Sequence, residues 1–84
     1  MSFNQEFGQR MCALRKANKH VQKDLAEMLG VTPTQISDME KGRRATTLEK
    51  LAQICAFYNI SADYLLGLTN EMRPPVHNQK EDAS

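Results

Sequence analysis

The sequence predicts an all-α fold, a compact domain of five short helices, on three observations. Apolar residues recur at spacings of three and four through most of the first 68 positions. Helix-starting signals (Thr32, Thr46-Thr47, Ser61) and glycine stops (Gly30, Gly42, Gly67) follow one another at short intervals. No segment shows the strict alternation of a half-buried strand. The 84 residues suffice for one domain. A chain of this size buries only ~60–65% of its unfolded surface, so its core must be compact and local.

Each element has its own signal. Residues 6–17 place Phe7, Met11 and Leu14 on one helical stripe. Residues 22–29 carry Leu25, Ala26, Met28 and Leu29 and stop at Gly30, where a left-handed turn suits a residue without a Cβ. Thr32-Pro33-Thr34-Gln35 opens a third helix, 33–41. Thr32 caps it, Pro33 suits a first position whose N–H has no helical partner, and Gln35 completes a capping box. Ile36 and Met39 supply its apolar face, and Gly42 ends it. Thr46-Thr47-Leu48-Glu49 reads as another capping box, opening a helix with Leu48, Leu51, Ile54, Cys55 and Tyr58 on one side. Ser61 caps a last helix over residues 62–67, with Leu65 and Leu66 inward. Val31 and Ile60 are expected to plug the core between helices. The domain spans residues 1–69. Residues 70–84 contain Pro74-Pro75 and then a polar, aperiodic stretch, and read as a disordered tail.

Composition removes several classes. No run approaches the ~18 apolar residues of a membrane span. The N-terminus has neither the basic start nor the apolar stretch of a signal peptide, so a cytoplasmic location is expected. Cys12 and Cys55 form no CxxC pair and are expected to be small buried hydrophobes. His20 and His77 are isolated, so no metal site is expected. No phosphate loop or nucleophile–base grouping stands out. The expectation is a protein that is not an enzyme and takes no cofactor.

Net charge is +1, which by itself lacks the strongly basic footprint of a nucleic-acid binder. Its distribution is uneven. Residues 10–50 hold nine basic and five acidic groups, a net +4, whereas residues 51–84 carry −2. A basic segment is thus offset by an acidic C-terminal part.

The stretch Gln22–Lys41, QKDLAEMLGVTPTQISDMEK, fits a helix-turn-helix element position by position. Ala26 stands where the two helices pack closest, Gly30 stands at the turn, and Leu25, Ile36 and Met39 face the core. Here the chain resembles the Cro/C1-type helix-turn-helix (XRE) family of phage and bacterial repressors. The resemblance covers about residues 7–68. It rests on LRKAN at 14–18, VQKDLAEMLGVTPTQISDMEKGRR at 21–44, LEKLAQICAFYNIS at 48–61 and DYLLGL at 63–68. It implies a lambda-repressor-like DNA-binding domain, usually a homodimer on a palindromic double-stranded operator, and most often a repressor.

The resemblance assigns roles. Gln22 matches a glutamine that bonds a phosphate at a helix N-terminus, where free N–H groups favour anions. Residues 33–41 correspond to the recognition helix of the major groove. Thr32, Thr34, Gln35, Ser37 and Asp38 are its outward candidates. Gln35 suits adenine, Thr34 a thymine methyl or a polar base edge, and Asp38 the cytosine amino group. Lys41, Arg43 and Arg44 are expected on phosphates, with Lys23 a further candidate. Arg15 and Glu40 match an Arg and a Glu that pair in some relatives, bracing the first helix against the recognition helix.

Three departures from the family pattern matter. Val21 replaces the usual Ser or Thr cap, at a cost of about 1 kcal/mol. His20 replaces a larger aliphatic residue and is expected to be a partly buried structural histidine. Pro33 stands where several relatives read a base, which shifts readout to Thr34, Gln35 and Asp38. Phe57, Tyr64, Leu68 and Met72 exceed what one small core absorbs and mark the last helix as the expected dimer surface. At this length a separate effector-binding domain is not expected. The alternative reading is a protein-interaction module of a regulatory or toxin–antitoxin system, with Lys41, Arg43 and Arg44 serving solubility.

Overall fold

The computed structural model describes residues 2–72. Its five helices are α1 (Phe3–Ala17), α2 (Gln22–Leu29), α3 (Pro33–Glu40), α4 (Leu48–Tyr58) and α5 (Ala62–Leu66), and no strand occurs among the described residues. Residues 73–84, most of the expected tail, and His77 lie outside them.

Helix α1 begins three residues earlier than the apolar stripe indicated. The start is a capping box: Ser2 Oγ accepts from the Gln5 amide at 3.2 Å, and Gln5 Oε1 accepts from the Ser2 amide at 2.9 Å. The stripe does not reveal it because Phe3, the apolar residue of that first turn, is 59% exposed. Helix α2 has no side-chain cap on its own backbone, since Val21 has no acceptor. Asp24 Oδ2 supplies the other half of the box, accepting from the Val21 amide at 3.0 Å. Gly30 closes α2 at φ 71°, with the Val31 amide donating to the Ala26 carbonyl at 3.0 Å. Helix α3 opens on the expected box, Thr32 and Gln35 bonding reciprocally at 3.1 and 2.9 Å. It ends at Glu40, so Lys41 is its C-cap and not its last turn. At α4 only one arm forms, Thr47 Oγ1 accepting from the Lys50 amide at 3.1 Å, because Lys50 occupies the position where a box needs an acceptor. Ser61 caps α5 through the Tyr64 amide.

One core lies between all five helices. Helix α1 contributes Phe7, Met11 and Leu14, and α2 contributes Leu25, Ala26 and Leu29. Ile36 and Met39 enter from α3, Leu51 and Ile54 from α4, and Ile60 and Leu65 close the base. Met11, Leu25, Ile36, Ile54 and Leu65 are fully buried, each stabilising the fold by about 1.5–3 kcal/mol relative to exposure.

Four expectations need correction. Leu48 is 85% exposed, because as the first residue of α4 it precedes the turn that meets the core. Leu66 is half-buried at the rim, while Leu65 takes the inward position. Cys12 and Cys55 are half-buried and not core residues. Val31 is likewise half-buried, whereas Ile60 does plug the core. His20 is half-buried as expected, its Nδ1 2.9 Å from the Tyr58 hydroxyl and its ring against Phe57 and Tyr58. Beyond the last helix, the Met72 carbonyl accepts from the Ser61 amide at 2.7 Å, tying residue 72 back to the domain.

Candidate nucleic-acid interface

Helices α2 and α3 pack through Leu25, Ala26 and Leu29 on one side and Ile36 and Met39 on the other, all buried. With those faces inward, α3 turns its first residues outward. Thr32, Pro33 and Thr34 are exposed, while Gln35, Ser37 and Asp38 are half-buried. Lys41, Arg43 and Arg44 follow, all exposed, and Lys23 is exposed in the first turn of α2. All of these side chains reach solvent to some degree, but five of the candidates, Gln22, Thr32, Gln35, Asp38 and Arg43, already hold partners within the protein.

Gln35 spends its carbonyl oxygen on the Thr32 amide. A bidentate adenine contact needs both ends of the amide, so it would require this cap to open. Asp38 faces Arg43: Oδ1 lies 3.8 Å from the guanidinium, and the Arg43 amide donates to the Asp38 carbonyl at 2.8 Å. The pair offsets the negative charge of Asp38 on this outward side of α3. Gln22, half-buried, donates from Nε2 to Glu40 Oε1 at 3.1 Å.

Glu40 is the centre of a buried polar network. Arg15 Nε donates to its Oε2 at 2.6 Å and a terminal guanidinium nitrogen to its Oε1 at 3.1 Å. The Arg15 and Glu40 side chains are only 9% and 5% exposed. This pair joins α1 to α3 inside the protein, where one partner without the other would be a buried, uncompensated charge. Arg15 also donates to the His20 carbonyl at 2.8 Å and lies 3.6 Å from Cys12 Sγ. Burial pushes the Glu40 carboxyl up, but hydrogen bonds from Arg15 and Gln22 and the adjacent positive charge outweigh it and hold the group below its ordinary range. The hydrogen bond to Glu40 raises Arg15 in turn, against a smaller effect of burial. Burial raises Tyr58 first, with Asp24 and Glu40 adding and Arg15 opposing.

Two contributors escape the sequence reading. Gly8 lies inside α1, where a glycine ordinarily signals nothing, yet it is buried against the carbonyl end of α3. Lys50 shares a cleft wall with Gln35 and Arg44, between α3 and the start of α4. Its position on the next helix gives it no place in the motif.

Two helices at a glycine turn, locked by their inner faces and presenting a polar outer face with flanking cations, define a helix-turn-helix domain. A family model described as helix-turn-helix matches residues 13–65, and the chain belongs to this family, in its Cro/C1-type form. Among curated proteins it is similar to the uncharacterized HTH-type transcriptional regulator YobD of Bacillus subtilis (strain 168), 35% identical over 71 residues. That match covers 84% of this chain and 63% of YobD, so the chain spans less than two thirds of that relative's length. Among solved structures it is similar to the P22 c2 repressor protein in complex with a synthetic operator. The TM-score is 0.70 at 34% identity, covering 77% of this chain and 98% of that one. It is also similar to the restriction-modification controller protein C.AhdI from Aeromonas hydrophila. There the TM-score is 0.66 at 28% identity, covering 73% and 92% of the two chains. No described helix is long and apolar enough to cross a membrane.

Proposed function

We propose that this protein is a cytoplasmic, sequence-specific regulator of transcription that binds double-stranded DNA, acting as a repressor and binding a palindromic operator as a homodimer. The observation that carries the reading is the outward face of α3. Thr32, Pro33 and Thr34 are exposed at its N-terminal end, while Ile36 and Met39 anchor its other side in the core. A recognition helix reads base edges through its N-terminal residues, and this is the part of α3 left open. Thr34 and Asp38 are the base-reading candidates. Lys23, Lys41, Arg43 and Arg44 supply phosphate contacts that set affinity and register. Ser37 and Gln35 support the same face, Gln35 chiefly through the cap it makes with Thr32. The operator in the P22 c2 repressor complex, a protein of similar fold, supports this mode of binding.

Phe57, Leu68 and Met72 are 50%, 73% and 47% exposed, which supports a dimer surface in the α4–α5 region, with half-buried Tyr64 at its edge. In a two-fold dimer the recognition helices would sit one turn of DNA apart, about 34 Å. Selecting bound duplexes from a random pool tests the reading in one step. A selected motif with two-fold symmetry is expected. Failure to retain any duplex at low salt would remove the DNA reading and leave the interaction-module reading ahead.

A further inference from the structure

Gln22 stands at the first position of α2, at the edge of the candidate interface, with its side-chain amide tied to Glu40. An ionised carboxylate only accepts hydrogen bonds, so Gln22 can meet it only through its NH2 group. The orientation of this amide is therefore dictated by chemistry. One N–H of Nε2 is bound to Glu40, and the second N–H remains for another acceptor. Phosphate oxygens are acceptors only, so an amide turned the other way would present oxygen to oxygen and repel them. Glu40 itself is held by two donors from Arg15, which in turn is anchored to the His20 carbonyl just before α2. The network thus spans α1, the end of α3 and the start of α2.

We propose that Glu40, held by Arg15, is a positioning residue for the DNA-backbone contact. By binding one N–H of Gln22 it fixes the amide so that the other N–H is offered to a phosphate oxygen. This rests on the DNA-binding reading above. It goes further in making the buried pair that clamps α1 to α3 also set the geometry of a surface contact. A purely structural pair would leave Gln22 free to turn.

The test is a double-mutant cycle of Gln22→Met and Glu40→Gln. It uses the full chain, a duplex of mixed sequence and one selected from a random pool, at fixed salt. Gln22→Met, similar in size and without hydrogen-bonding groups, is expected to weaken binding to both duplexes by about tenfold, the scale of one hydrogen bond to a charged group. Glu40→Gln can meet Gln22 in either orientation, so it is expected to produce a smaller loss in the same direction. Adding Gln22→Met to it should then cost less than Gln22→Met costs in the unaltered protein. Losses that multiply as independent effects would overturn the proposal. Should Glu40→Gln fail to fold, the side-chain amide signals of Gln22 in the isotope-labelled unaltered protein decide instead. One Nε2 proton should hold its position and the other shift when duplex is added. Two unmoved protons with duplex bound would overturn the proposal and leave the DNA reading standing. If no duplex binds at all, the DNA reading falls and the proposal with it, and the free-protein Gln22 signal still shows whether the amide is held.

Discussion

Gly8 of α1 lies so close to Met39 of α3 that a Cβ on it would sit 2.3 Å from the Met39 carbonyl oxygen, with the Glu40 carbonyl oxygen at 2.5 Å. Both obstacles are backbone atoms, which cannot swing aside as a side chain would. This close approach lets the Arg15–Glu40 pair form within the same helix contact.

Gly8→Ala should therefore destabilise the protein, although alanine is the better helix former by about 1 kcal/mol. Forced separation of packed elements costs about 1–3 kcal/mol or more, and here it also stretches a buried ion pair. Urea denaturation is expected to show a net loss of about 2 kcal/mol. An unchanged or raised midpoint would mean that α1 and α3 accommodate the methyl group, contrary to this packing.

The buried pair gives a second expectation. Arg15→Met or Glu40→Leu alone should each cost about 3–5 kcal/mol by leaving a buried charge unpaired. The double variant should cost far less than the sum of the two. Additive losses would mean that the two groups do not interact.

The pH dependence follows from the direction of the Glu40 shift. Its folded-state value lies below the unfolded one, so the folded state binds fewer protons between the two. The contribution is complete above the unfolded value, about 4.3, and is lost as pH falls through the folded value. The unaltered protein should lose stability steeply below about pH 4, whereas Glu40→Gln, weaker at neutral pH, should show a flatter acid limb. Parallel acid limbs in the two proteins would exclude Glu40 as the titrating group.

The missing cap at Val21 can be repaired. Its backbone is extended, at φ −93° and ψ 170°, its side chain is exposed, and Asp24 already provides the returning half of the box. Val21→Ser should raise stability by about 1 kcal/mol, while Thr32→Ala, which removes a working cap at α3, should lower it by a similar amount. Thermal unfolding of the two variants should move in opposite directions. A Val21→Ser variant no more stable than the parent would show that Asp24 alone satisfies this helix start.

Arg43→Ala with Arg44→Ala should weaken DNA binding about equally across sequences. The salt dependence should become shallower by roughly two charges' worth. A changed sequence preference would instead place one of these residues on a base edge.

The elements were legible in the sequence to the extent that each signal is local. Thr32-Pro33-Thr34-Gln35 is a helix start because its capping groups lie three residues apart, and Gly30 is a stop because of its own backbone freedom. Leu25, Ile36 and Met39 face inward because helical periodicity admits one apolar side. Such short-range chemistry established five helices, their order and a helix-turn-helix unit, together with the net +4 of residues 10–50. The start of α1 was equally local, in Ser2 and Gln5, but lay outside the apolar stripe that pointed to the helix.

Tertiary structure decided what depends on residues far apart in the chain. Arg15 and Glu40 are 25 positions apart, and only the approach of α1 to α3 buries them together. The resemblance set Gln22 at a phosphate and gave no sign that Glu40 holds its amide, and Gly8 looked idle until α3 came within reach of its missing side chain. Leu48 kept its helical spacing and still faces outward, because periodicity gives direction around a helix but not where the neighbouring helix begins. Local order is written in short-range bonding. Burial, charge pairing and the aim of a side chain belong to the packing.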